Sequence, residues 1–205
     1  MYLQKKLKNN NNFFKKIKDL DFVLLFCILL LGFISLATMF STDGGEVLFH
    51  TKSHFYKLIV FIFLMLIVSF LNIKFWFSLG YFSYLITVAM LIYTINFGIT
   101  ASGSQRWIDL YFINIQPSEL MKIFIILCLA KFFHRKRLEN VNSFYSIIIS
   151  LVIIFLPMSL VIIQPDLGTS LLISISGIVV LWFAGLNHKY FFYSFLLSIV
   201  SLPFI

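Results

Sequence analysis

The sequence predicts an all-α fold: a polytopic transmembrane helix bundle. Three observations carry this reading. Of 205 residues, 60% are hydrophobic and 12% are charged, with a mean hydropathy of +0.98, whereas a soluble domain carries about 25% charged residues. The apolar residues come in runs near the length of about 20 residues that roughly 30 Å of hydrocarbon requires. Lys and Arg then collect on alternate sides of those runs. A 23.9 kDa globule has too little interior to bury so much apolar surface, so lipid must solvate the remainder. The 26 Phe residues suit both acyl tails and interfaces.

Residues 1–21 are rich in Lys and Asn, lack an apolar period and read as a cytoplasmic tail. Residues 22–205 read as one membrane domain. Phe22–Thr42 is the first span; it is about twice as long as a signal-peptide core, which favours a retained anchor. Leu58–Ile73 is the second, extending back to Phe55 if Lys57 snorkels. Phe75–Ala101 is the third and longest. Pro117–Phe133 is the fourth and the anomalous one, because it carries Glu119, Lys122 and Lys131. Val141–Ile163 and Leu167–Leu186 are the fifth and sixth. Tyr190–Ile205 reads as the start of a seventh, cut off by the end of the chain.

The basic residues set the orientation. With the N-terminus in the cytoplasm, the inner segments hold 12 of the 16 Lys and Arg residues, from Lys5 to Lys18 in the tail, then Lys74, Lys131, Arg135, Lys136, Arg137 and Lys189. The outer segments hold four: Lys52, Lys57, Arg106 and Lys122. This places residues 100–116 and the Gln164-Pro165 pair on the same, outer face. The net charge of +8 is therefore an orientation signal, and it forms no soluble basic face for a nucleic acid.

Gln116-Pro117-Ser118-Glu119-Leu120-Met121-Lys122 is the most informative stretch. A charged side chain at the bilayer centre costs about 2.5–3.5 kcal/mol on insertion scales. Proline suits the first helical position, where its missing N–H costs nothing. Glu119 then falls in the first turn, where the helix dipole favours an anion, and Lys122 follows three residues on along the same face. A capped helix start with a snorkelling lysine is the plain reading; a polar face turned into the bundle is the functional one. Gln164-Pro165-Asp166-Leu167-Gly168-Thr169 repeats the pattern: Gln-Pro opens a helix, an acid follows, Gly168 allows close helix approach and Thr169 adds a hydroxyl. Two helix starts on one face can bring their acids and the lysine together.

Between these motifs lies Gly103-Ser104-Gln105-Arg106-Trp107-Ile108-Asp109-Leu110. Trp107 and Tyr111 suit the interfacial belt. Arg106 could pair with Asp109, and its guanidinium is also a good phosphate ligand. His50 and His54 have helical spacing in the first outer loop but lack a third metal ligand, and a solvated loop is the simpler reading. Cys27 and Cys128 lie in apolar runs with no metal-ligand spacing. No metal site and no cofactor are evident.

These residues resemble the SEDS family of bacterial membrane proteins (shape, elongation, division and sporulation). The three motifs, 103–110, 116–122 and 164–169, occur in the family's order and spacing. Gln105, the Ile108-Asp109-Leu110 run and the Ala184-Gly185-Leu186 turn look more like the RodA (elongation) branch than the FtsW (division) branch. The resemblance implies a glycosyltransferase of the bacterial inner (cytoplasmic) membrane. It would polymerise lipid II, a disaccharide-peptide linked to undecaprenyl pyrophosphate, into glycan strands on the outer face. It also implies a class B penicillin-binding protein as partner.

On that resemblance, Arg106 and Lys122 would hold the pyrophosphate region, Glu119 would fix Lys122 by pairing, and Asp166 would order the outer loop or the same polar cavity. Gln116, Ser118, Gln164 and Thr169 complete the candidate polar site. The family's catalytic aspartate lies in a large outer loop beyond Ile205. This stretch alone is therefore expected to lack the base that deprotonates the acceptor hydroxyl and to be inactive by itself. A divalent cation could offset the leaving group's charge. The competing functions are a flippase or transporter for a lipid-linked sugar and a noncatalytic scaffold for a penicillin-binding protein.

Overall fold

Inside a bilayer, an apolar chain must satisfy its backbone polar groups within each segment, so these runs fold as helices. The computed structural model describes residues 18, 20–101, 104–110, 114–134 and 136–192. In chain order they form α1 (Phe22–Thr42), α2 (Phe49–Phe70), α3 (Ile73–Phe97), β1 (Ile99–Ala101), β2 (Ser104–Asp109), β3 (Asn114–Ile115), α4 (Pro117–Phe133), a short α5 (Leu138–Val141), α6 (Phe144–Ile163) and α7 (Leu167–Phe183). Residues 188–192 are helical. Most of the expected tail and of the expected seventh span lie outside the described residues.

Four helices, α1, α2, α3 and α6, are long and apolar enough to cross a membrane. The other two expected spans are shorter. The α4 and α7 helices have 17 residues each, a length of about 25 Å at 1.5 Å per residue. The chain is thus mostly helical and multi-pass. It divides into two compact units, Met1–Asn72 and Ile73–Ile205.

In the first unit, the Asp21 carboxylate caps α1 by accepting the Val23 and Leu24 amides, both at 3.0 Å. The α1 helix buries no residue, and α2 buries only Thr51, as expected of helices that are apolar all round and solvated by lipid. The chain leaves α1 through Gly44 and Gly45, whose φ values of 77° and 84° suit glycine. The second helix starts nine residues before Leu58, at Phe49. Asp43 explains the early start. Its Oδ2 accepts the Thr51 amide at 3.1 Å and the Thr51 hydroxyl at 2.6 Å, which satisfies a first-turn donor from outside the helix. The Thr51 hydroxyl, helped by its amide and by His50, holds the Asp43 carboxyl below its usual range. The histidines are therefore helical and do not lie in a loop. His54 Nε2 meets Ser35 Oγ at 2.7 Å and joins α2 to α1.

In the second unit, α3 packs on α4, and α7 packs on both α4 and α6. Leu91, Met121, Ile125, Leu129, Ile154, Val161 and Ile173 form its core. Helix association in lipid depends on small residues and close packing. A Cβ on Gly80 would sit 3.0 Å from the Leu127 carbonyl oxygen, and one on Gly177 only 2.5 Å from Ile154 Cγ1. By contrast, nothing lies within 4 Å of such an atom on Gly168. The close approach expected at Gly168 is found at Gly177, because residue 168 lies in the exposed first turn and residue 177 faces α6. The α7 helix closes on Gly185 at φ 90°, with Gly185 N donating to Trp182 O at 3.1 Å and Leu186 N to Leu181 O at 3.2 Å, a Schellman ending.

Pro157 is buried inside α6. It has no N–H to give the carbonyl of Ile153, four residues back. The Tyr84 hydroxyl of α3 donates to that carbonyl instead, at 2.9 Å.

The residues between α3 and α4 hold an unexpected element in an all-α reading: an antiparallel sheet of order β1-β2-β3. Ala101 pairs with Ser104 and Thr100 with Gln105, and Ile108 pairs with Ile115. The six residues of β2, Ser-Gln-Arg-Trp-Ile-Asp, do not alternate polar with apolar, so the strand carries no period-2 signal between two long helices.

Candidate functional site

Three segments distant in sequence meet at Asp166. The strand β2 carries Arg106, the residue before α4 is Gln116, and Asp166 is the N-cap of α7. Asp166 Oδ1 accepts the Thr169 amide at 3.2 Å. Its Oδ2 receives Arg106 Nη1 at 3.0 Å and Gln116 Nε2 at 3.2 Å. Both oxygens are thus engaged, with Asp166 itself 9% exposed. Burial alone would raise this carboxyl, but the Thr169 hydrogen bonds and the Arg106 guanidinium outweigh it and hold it below its usual range. Arg106 Nε is buried and has no partner among the described residues.

Arg106 therefore does not present a free guanidinium. A strand puts residues three apart on opposite faces, and Arg106 pairs with Asp166 across the unit and not with Asp109, its expected partner on the same strand.

The two Gln-Pro motifs also differ in geometry. In the first, Gln116 is the N-cap, Pro117 the first helical residue and Glu119 lies in the first turn, as the sequence predicts. In the second, Pro165 lies before the helix and Asp166 is the cap itself. The acid one residue after proline caps; the acid two residues after it lies inside the helix.

Glu119 and Lys122 form their own pair, Nζ to Oε1 2.8 Å, with side chains 55% and 26% exposed. Lys122 has three donors and spends one here. Ser118 is buried, and its hydroxyl has no partner among the described residues. Gln164 serves the core: its Nε2 donates to Leu91 O at 3.0 Å and to Thr94 Oγ1 at 2.9 Å. Thr169 contributes its amide to Asp166 and is itself buried. The candidate residues thus fall into a partly buried clamp of Arg106, Gln116, Asp166 and Thr169, a more exposed pair of Glu119 and Lys122, and Gln164 as an anchor to α3.

Sequence reasoning missed Thr94, Tyr84 and the structural part of Gln105, whose Nε2 donates to Gly98 O at 2.8 Å. A signal was present. Tyr84, Thr87, Leu91 and Thr94 are spaced three and four apart and form one buried stripe of α3, with polar residues at three of the four places.

Residues 18–205 match the family model of the FtsW, RodA and SpoVE cell cycle proteins. This chain belongs to the SEDS family. Among the SEDS relatives, peptidoglycan glycosyltransferase MrdB of Escherichia coli K12 is 41% identical over 110 residues, covering 52% of this chain and 28% of the relative. A probable peptidoglycan glycosyltransferase FtsW of Buchnera aphidicola subsp. Baizongia pistaciae is 29% identical over 192 residues, covering 90% of this chain and 50% of the relative. Relatives under both names match, which identifies the family rather than one branch of it. The fold resembles a solved chain of a peptidoglycan synthase complex, with TM-score 0.77 and 22% identity over 89% of this chain and 53% of that one. It also resembles the rod shape determining protein RodA of Thermus thermophilus, with TM-score 0.73 and 23% identity over 88% and 59%. The SEDS chain described here spans half or less of the length of these two curated relatives.

Proposed function

We propose that this chain is part of a RodA-like glycosyltransferase of the bacterial cytoplasmic membrane. It polymerises lipid II into peptidoglycan during elongation, with its N-terminus inside and the Asp166 clamp at the outer face. A class B penicillin-binding protein cross-links the product. Family membership and the names of the relatives support the reaction. Gln105, Ile108-Asp109-Leu110 and the Ala184-Gly185-Leu186 turn support the elongation branch.

The observation that carries the reading is the convergence of all three motifs on one side of the second unit, at Asp166. The clamp is a positioning device. With both carboxylate oxygens engaged, Asp166 is poorly placed to act as a base. Glu119 likewise holds Lys122. Lys122 keeps two donors in the second turn of α4, and its ammonium together with the positive helix end suits a pyrophosphate. The role left for these residues is to grip the leaving group while a base elsewhere in the full-length protein takes the acceptor proton.

The test is reconstitution of the full-length protein with its partner and lipid II. Lys122→Ala should abolish glycan polymer while the protein still inserts. Normal polymer from that variant would remove the pair from the mechanism. Transbilayer movement of labelled lipid II without any polymer would favour a flippase.

A further inference from the structure

Beside the clamp lies a cleft of about 250 Å³, lined by Ile95, Thr100, Ser104, Gln105, Ile163, Gln164 and Pro165. Pockets for drug-sized ligands run to about 300–1,000 Å³, so this one suits a single ring. Its chemistry is specific. Among the described residues, no charged side chain lines it. Of its side-chain amide donors, Gln164 Nε2 spends both on Leu91 O and Thr94 Oγ1, and Gln105 Nε2 spends one of its two on Gly98 O. The amide oxygens of both glutamines accept no hydrogen bond among the described residues. Ser104 is 6% exposed, and its buried hydroxyl has no partner among the described residues either. A buried polar group without a partner is uncommon and points to something unseen beside it.

The lining therefore offers two amide oxygens, the Ser104 and Thr100 hydroxyls and no charge among the described residues. An anion finds no cation there to offset its desolvation. A neutral ligand with several O–H or N–H donors finds acceptors to match them, while Ile95, Ile163 and Pro165 offer it an apolar wall. We propose that this cleft is a saccharide subsite that holds one sugar ring by its hydroxyl and amide N–H donors, with Ser104, Gln105 and Gln164 as the recognising residues. This rests on the glycosyltransferase reading and divides the labour of that site: the cleft reads the sugar, and Lys122 meets the pyrophosphate.

The probe is N,N′-diacetylchitobiose, a soluble amino-sugar disaccharide, with undecaprenyl pyrophosphate as the sugar-free control. Binding to the purified full-length protein is measured by saturation-transfer NMR for the sugar and by native mass spectrometry for the lipid. Ser104→Leu fills the cleft, and Ser104→Ala removes the hydroxyl with little change in volume. The expected result is loss of sugar binding in Ser104→Leu, weakening of three-fold or more in Ser104→Ala, and unchanged lipid pyrophosphate binding in both. The KM for lipid II should rise about ten-fold in Ser104→Leu. A purely structural Ser104 predicts unchanged sugar binding in Ser104→Ala, and that outcome overturns the subsite. Sugar binding that is absent from the wild type overturns it as well. Sugar binding that is lost in Ser104→Leu, in a protein that makes no polymer, keeps the subsite and defeats the polymerase reading.

Discussion

Asp166 caps α7 with one carboxylate oxygen and holds Arg106 of β2 with the other, at 3.0 Å. One side chain thus ties the start of a helix to a strand that precedes it by more than a whole span. Asp166→Ala removes the cap and strands a mostly buried guanidinium. The expected loss is at least the ~0.5–2 kcal/mol of an N-cap. Asp166→Asn keeps the cap and should cost less. Thermal unfolding of the two variants in detergent checks the order, and equal midpoints would rule out a separate contribution from the cap.

The same carboxyl has a pH signature. Its folded-state value is lowered from 3.8, so the stability it contributes is fully present above the unfolded value. That stability is lost as pH falls through the lower, folded value. Stability should therefore stay level above the ordinary carboxylate range and drop in acid, and Asp166→Asn should flatten the drop. Asp43 is shifted in the same direction, so a residual acid slope should persist in Asp166→Asn and shrink further with Thr51→Val. Melting curves across the acid range provide the measurement.

The Glu119–Lys122 pair is exposed, and exposed pairs contribute roughly 0–1 kcal/mol. Glu119→Ala should leave the melting temperature nearly unchanged and yet lower polymer formation in the full-length protein. A large fall in stability with activity retained would invert the assignment.

Tyr84→Phe leaves the Ile153 carbonyl, already without its usual donor at Pro157, without the Tyr84 hydroxyl too. An unsatisfied buried polar group costs about 1–3 kcal/mol. The loss should vanish in a Pro157→Ala background, where the backbone can supply the donor. A double-mutant cycle on thermal stability reads this coupling directly.

Gly177→Leu should be the harshest single change in the α6–α7 contact. The added atoms meet Ile154 where even a Cβ is too close, and overpacking costs about 1–3 kcal/mol or more. Gly168→Ala, in open space, should be nearly neutral. Comparable losses at both positions would deny the difference between the two glycines.

The sequence by itself determined the membrane class, the bounds of α1 and α4, and the proline-led start of α4. These follow from local rules: run length against hydrocarbon thickness, and the missing N–H of proline. It named Arg106, Gln116 and Asp166 only among eight candidate polar residues, and it offered Asp109 as the partner of Arg106. Tertiary structure decided the rest. The early start of α2 needs Asp43, eight residues ahead of Thr51. The pairing of Arg106 with Asp166, and the roles of Tyr84 and Gln164, depend on which helices pack together. A hydrogen bond between distant segments leaves no period in the chain, so only the folded contacts could assign it.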